Sequence, residues 1–392
     1  MSRLSQGNPA LGGLSASIYS SYVARARASG SPYCPLHEGD TYLVPPVGAR
    51  LFDGPTYEVP GIHKYSPIRG RAELIEAILE QRKEKDGQTL LPSQILITAG
   101  ATSGISSAIR TLLAPGQSMI ALAPFWPLIR GITTSHGVTF KEIPFYNIKH
   151  DRHSLKEALH SVAEGDTAAI YVNWPNSPTG GISSPELVEA IAEFSCDRDL
   201  WVFSDEVYED YVYGDGPLPR ISAFPGMQER TLRFFSFSKA YAMAGNRVGY
   251  ISGPAIVIDA VERYTTFAVY SVNGGGQVAA ERAIRNGAAW QEEARAGYRW
   301  TGEQAARILD IGLPMSGAFL FLDAADSLDD RGMIGLLEDL AGQGVLVTPG
   351  SSFGKDYSTW IRICFTCLPP EEVLRGMHII AGRLGKTQHN SR

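Results

Sequence analysis

The chain has 392 residues, of which 44% are apolar and 19% charged, with a formal net charge of −6. This is long enough for one large and one smaller domain of a compact globular protein. A mild acidic balance without a basic block argues against nucleic acid or an anionic membrane as a partner, and no apolar run reaches the roughly 20 residues of a membrane helix. The opening stretch, MSRLSQGNPALGGLSAS, lacks the apolar core of a secretory signal, so a cytoplasmic protein is expected. The four cysteines, Cys34, Cys196, Cys364 and Cys367, are too few to frame so long a chain with disulfides. Cys364-x-x-Cys367 has no second pair beside it, so ordinary packing and no metal are expected.

The first dozen residues and the last seven read as loose ends. From Ser93 onward strands and helices alternate. Short continuous apolar runs predict strands at 95–98, 119–123, 168–173, 200–204, 232–237 and 248–252. A helical stretch at 103–113 and helices at 154–163, 185–196, 255–267 and 277–286 lie between or after them. Such alternation predicts an α/β fold with a mostly parallel sheet flanked by helices. After Ala288 the rhythm changes to a long helical segment at 290–309, strands near 319–322, 345–347 and 360–364, and helices at 331–341 and 370–384. That part reads as a smaller α+β domain.

The chemistry concentrates in one run, Ser236-Phe237-Ser238-Lys239-Ala240-Tyr241-Ala242-Met243-Ala244-Gly245-Asn246-Arg247. A buried strand ends there in a small polar loop carrying one lysine. A lysine in that position can shed its proton and form a Schiff base. The hydroxyls of Ser236 and Ser238 and the guanidinium of Arg247 suit an anionic phosphate. Together they describe a pocket for an aldehyde that carries a phosphate, which is pyridoxal 5'-phosphate. Gly100-Ala101-Thr102 opens a helix after a strand, where free N–H groups and the helix dipole make an anion site. Asp205 ends the strand 200–204, facing the crevice where ligands of parallel sheets bind; capping a following helix is its other reading. Arg362 lies in an apolar strand, where a buried arginine needs a partner. Its fork fits a carboxylate, and a structural ion pair is the alternative.

The lysine run resembles the signature of the class I/II aminotransferases, the fold-type I pyridoxal-phosphate enzymes. Further landmarks follow in family order: Tyr65 in HKYSPIRG, Gly100-Ala101-Thr102, Trp126, Pro178-Thr179-Gly180, Asp205 and Tyr208 in SDEVY, and Arg362 in WIRICF. An ordered set of this breadth is far more specific than any one member. The resemblance implies a large domain at 49–288 with a seven-stranded type of sheet, a small domain at 289–392, and residues 1–48 packing with the latter. It implies Lys239 as the Schiff-base lysine and proton carrier, Asp205 beside the pyridinium nitrogen, Tyr208 on the ring hydroxyl, and Trp126 against the ring face. It makes Arg362 the clamp for the substrate carboxylate. Tyr65 would reach the cofactor phosphate of a second copy, so a homodimer with shared active sites is expected.

One departure stands out. The family has asparagine before Pro-Thr-Gly, as a donor to the ring oxygen; this chain has Ser177, preceded by Asn176. Either residue could serve that oxygen. The stretch 264–277 has no arginine or lysine for an acidic substrate side chain. Near the N-terminus, Glu38 stands before Gly39, where the family places an apolar residue by the substrate; it would receive a cationic or hydroxylated side chain or face solvent. The expected function is transfer of an amino group from an L-amino acid to a 2-oxo acid. Elimination, cyclisation or oxidation on the same fold is the alternative. A non-enzymatic regulator is more remote, since the roughly 60 residues before Tyr65 contain no basic recognition helix.

Overall fold

A computed structural model describes residues 20–50, 53, 58–148, 151–214 and 216–386. The terminal stretches expected to be loose lie outside the described residues, apart from Lys386. Seven strands form one sheet: β1 (Ile95–Thr98), β2 (Ser118–Leu122), β3 (Thr139–Ile143), β4 (Thr167–Asn173), β5 (Trp201–Asp205), β6 (Thr231–Ser236) and β7 (Gly249–Ser252), in the order β1-β7-β6-β5-β4-β2-β3. β7 runs antiparallel to both neighbours, and the other strands share one direction. β1, β2 and β7 are buried along their whole length, as continuous apolar runs require when helices cover both faces. On one face Ile105 and Ile109 of helix Gly100–Leu112 pack with Val261 of helix Ala255–Ala268 against Leu96, Phe203 and Phe234. On the other, Leu187 and Ile191 of helix Pro185–Asp197 cover Ile120, Ile170 and Val202. Pro185 occupies the first turn of that helix and Ser184 caps it, accepting from the Leu187 N–H.

The fold has the expected class: an α/β sheet flanked by helices, with a second, smaller sheet of β8 (Phe319–Asp323), β9 (Thr348–Pro349) and β10 (Trp360–Cys364), in the order β8-β10-β9. The strand expected at 345–347 falls later, at β9. Val345 instead makes an isolated parallel bridge to Cys34, and Leu346 donates to the Cys34 carbonyl, so the N-terminal segment uses that apolar run. Among the described residues, no helix is long and apolar enough to cross a membrane, and no cluster of three or more His, Cys, Asp or Glu could hold a metal ion.

Six of the seven strands point the same way, so their C-terminal ends open onto one crevice. The register sets Asn173 beside Asp205, Asp205 beside Phe234, and both Thr98 and Ser236 beside Gly249. Gly249 admits no side chain: a Cβ there would lie 2.5 Å from the Phe235 carbonyl and 2.8 Å from the Ala101 nitrogen. That close approach brings the lysine-bearing loop against the start of helix Gly100–Leu112.

Candidate active site

At the C-terminal edge of the sheet lies a cavity of about 190 Å³. Ala101, Thr102, Trp126, Ser177, Asp205, Tyr208, Ser236, Ser238, Lys239 and Arg247 line it, joined by Ile105, Asn173, Val207 and Ala244. Residues spread from position 101 to 247 thus meet because strands β1, β4, β5 and β6 end together.

Lys239 sits on the single helical turn Phe237–Ala240 that follows β6. Its Nζ donates to the Gly39 carbonyl and lies 4.0 Å from the Asp40 carboxylate. Burial holds its amine below the ordinary lysine range; Asp40 opposes this, while the charges of Arg362 and Arg247 assist it. Asp205 is 4% exposed. It accepts from the Tyr171 hydroxyl at 2.6 Å and from the Val207 N–H at 3.3 Å, both neutral donors. Burial pushes its carboxyl up to about 6. Tyr208, also raised by burial, meets Phe319 of β8 edge-on, with ring centroids 5.7 Å apart.

The anion cup forms where the β6 loop meets the first turn of helix Gly100–Leu112. Ser236 Oγ accepts from the Ser238 N–H at 3.1 Å. Arg247 lies 3.4 Å from Ser238 Oγ and donates to the Ala244 carbonyl at 2.9 Å, so its fork is held at the cavity wall. Gly100 has φ +79°, and a Cβ on it would sit 2.5 Å from Arg247 Nη2; glycine alone lets the helix start and the arginine meet.

Asn176 and Ser177 part company. The Asn176 amide donates to the carbonyls of Pro124 and Asn173 and accepts from Thr179, tying the loop together, and it lines a neighbouring cavity. Ser177 lines the main cavity at 2% exposure, and its Oγ has no hydrogen-bond partner among the described residues. Asn173 lies behind it, accepting from the Ser177 N–H at 2.8 Å and donating to the Asp205 carbonyl at 3.0 Å. Asn173 is not among the residues the sequence singles out. Its signal was its place at the end of an apolar strand, usable only once β4 and β5 were known to be neighbours.

Arg362, 8% exposed on β10, donates to the His37 carbonyl at 2.7 Å and to Thr348 Oγ1 at 3.2 Å. Its guanidinium stands 4.2 Å over the Phe319 ring. Burial and the Arg362 charge push His37 down to about 4, so its ring is neutral beside the arginine. Gly39 joins the two parts of the site through its contact with Lys239. The Glu38 side chain is 57% exposed, 4.0 Å from His37 Nε2. Tyr65 lies away from the cavity, 82% exposed, with its ring edge against Tyr270.

Residues 37–380 match the family described as Aminotransferase class I and II. The chain belongs to the class I and II aminotransferases. It is 32% identical over 314 residues to aromatic-amino-acid aminotransferase 2 of Thermococcus litoralis, covering 78% of this chain and 80% of that protein. It is 31% identical over 316 residues to the aspartate aminotransferase of Pyrococcus abyssi, with the same two coverages. Among solved structures, a double mutant of Thermus thermophilus aspartate aminotransferase superposes with a TM-score of 0.85 at 25% identity, spanning 98% of this chain and 99% of that one. The fold of this aminotransferase is therefore fold type I.

The cavity fits the cofactor that such enzymes use. Among the described residues, Ser177 Oγ is a buried hydroxyl without a hydrogen-bond partner, and the Asp205 carboxyl is buried and takes its hydrogen bonds from neutral donors. Arg247 and a helix start stand ready for an anion.

Proposed function

We propose that this aminotransferase moves an amino group from an L-amino acid to a 2-oxo acid with pyridoxal 5'-phosphate held on Lys239. The observation that carries the reading is that Lys239, Asp205 and Arg247 line one cavity. When bound, the cofactor's protonated ring draws off the electron pair left on the substrate Cα. The rest is work for the chain. Asp205 keeps the proton on the ring nitrogen, since a cation beside a buried carboxylate favours the ionised form. The Lys239 amine, whose hold on its proton burial weakens, carries the proton to and from the substrate Cα. Ser236, Ser238, Arg247 and the N–H groups at Ala101 and Thr102 bind the phosphate. Tyr208 and Ser177 offer hydroxyls to the ring oxygen, and Trp126 packs on the ring face. Arg362 binds the substrate carboxylate. The working form we propose is a homodimer, supported by the exposed aromatics Tyr65, Phe267 and Tyr270, with Tyr65 serving the partner's phosphate.

A half-reaction tests this reading. Adding an amino acid without acceptor should convert the bound cofactor to its amine form and release one equivalent of 2-oxo acid. Release of ammonia or a cyclised product instead would point to the elimination or cyclisation chemistry of the same fold.

Arg362→Lys keeps the charge but loses the planar fork. KM for the amino acid should rise by roughly tenfold, the value of one charge-assisted hydrogen bond, while cofactor affinity stays put. Equal rates on amino acids and on their decarboxylated amines in the unmodified enzyme would show that Arg362 clamps no carboxylate.

Ser177→Asn restores the family's usual donor. The pH at which the cofactor's visible absorption changes should shift, because a stronger bond to the ring oxygen favours its deprotonated form. Transamination should survive or improve. An unaltered spectrum and product ratio would show that Ser177 does not touch that oxygen.

A further inference from the structure

Behind the turn that carries Asp205 and Tyr208, three arginines and three carboxylates pack together, all but Arg220 out of water, and the chemistry above uses none of them. Arg82 is fully buried and Arg233 is 2% exposed. The Asp86, Glu206 and Glu209 side chains are 1%, 4% and 5% exposed, and that of Arg220 is 16% exposed. Glu206 takes a two-pronged hydrogen bond from Arg233, Nε to Oε1 at 2.8 Å and Nη2 to Oε2 at 2.8 Å. Glu209 takes a second such fork from Arg82, one prong at 2.9 Å. Asp86 links the two arginines, at 2.8 Å from Arg233 and 3.2 Å from Arg82. Arg220 closes the ring through all three carboxylates.

The placement of the forks is the point. Glu206 follows Asp205 in the chain and Glu209 follows Tyr208, so each cofactor-facing residue has a forked carboxylate as its next neighbour. The Glu209 N–H donates to the Glu206 carbonyl at 3.1 Å, which closes the turn between them. Arg82 and Arg233 also stand 4.6 and 4.9 Å over the ring of Phe235, the residue before Ser236 on β6. Strand alternation puts Phe235 on the network's side and Ser236 on the cavity's. Stability does not require this arrangement: buried ion clusters bear a desolvation cost, and well-packed apolar replacements are often neutral or stabilising. What a bidentate arginine–carboxylate pair supplies is a fixed angle.

We propose that Glu206–Arg233 and Glu209–Arg82 are positioning pairs that hold the turn from Asp205 to Tyr208 at the angle the cofactor ring needs. The proposal rests on the cofactor assignment made above. It concerns orientation, so the readouts are the visible circular dichroism of the bound cofactor and the split between kcat and KM at saturating cofactor. Two variants test it: the paired apolar replacement Arg82→Met with Glu209→Leu, and Arg82→Lys, which keeps the charge and loses the fork. The paired variant should melt cooperatively, show an altered dichroic band, and lose about 10- to 100-fold in kcat, the scale of a misplaced catalytic group. KM should move less than about threefold, since Arg362 is untouched. Arg82→Lys should show the same dichroic change with a smaller loss, which keeps the test alive if the paired variant does not fold. Wild-type kcat and dichroism in either folded, cofactor-saturated variant would overturn the positioning role. Wild-type protein that takes up no pyridoxal phosphate would instead remove the cofactor assignment, and this proposal with it.

Discussion

Lys239→Ala is expected to lower transamination by at least about 10⁴-fold, because it removes both the covalent anchor of the cofactor and the base at the substrate Cα; the base alone is worth roughly 10²–10⁴-fold. The loss should not come from unfolding. The lysine's side-chain partners are the Gly39 carbonyl and the Asp40 carboxylate at the cavity wall, and removing it also removes a cation whose charge burial disfavours. Melting temperature should therefore change little. Noncovalent cofactor binding should persist through Ser236, Ser238 and Arg247, and equilibrium dialysis measures it. Residual turnover within about tenfold of the parent would place the base elsewhere.

Asp205→Ala is expected to lower kcat by roughly 10²–10³-fold, the scale of removing one preorganised electrostatic contact, while cofactor occupancy falls far less. The interaction matters most when the ring carries the Cα electron pair, so its loss registers in the transition state. Unchanged turnover at full cofactor occupancy would take Asp205 out of this role. The carboxyl also makes a pH prediction for the cofactor-free protein. Its folded value, about 6, lies above the ordinary 3.8. The folded state therefore holds the proton more tightly, and the stability this contributes is present below pH 3.8 and lost as pH rises through 6. The stability difference between the parent and Asp205→Asn should follow that slope without cofactor and flatten with it.

How far the sequence could be read depended on what each residue's role required. The sequence singles out Lys239 and Arg362 because each is a cation set in an apolar strand or at its end, an arrangement that needs a chemical reason. The strands buried on both faces were legible as unbroken apolar runs. β3 was not: as an edge strand it carries Lys141 and Glu142, and its residues are mostly only half-buried, so it lacks that signature. Nor could the sequence choose between Asn176 and Ser177. They are adjacent in one loop, and the bond Asn176 donates to the Pro124 carbonyl and the one it accepts from the Thr179 hydroxyl decide which of them faces the cavity. Asn173 acquires its place only through the pairing of β4 with β5, a long-range fact. The charged network was hidden for the same reason, since Arg82, Glu209 and Arg233 come from three separate elements and look like surface residues until the elements pack.

The central claim, that this cavity holds pyridoxal phosphate on Lys239, is tested most directly by borohydride reduction of the cofactor-loaded protein followed by peptide mapping. A single modified peptide with the cofactor's mass on Lys239 is the predicted result. A label on any other lysine, or none on a protein that nonetheless transaminates, would contradict it.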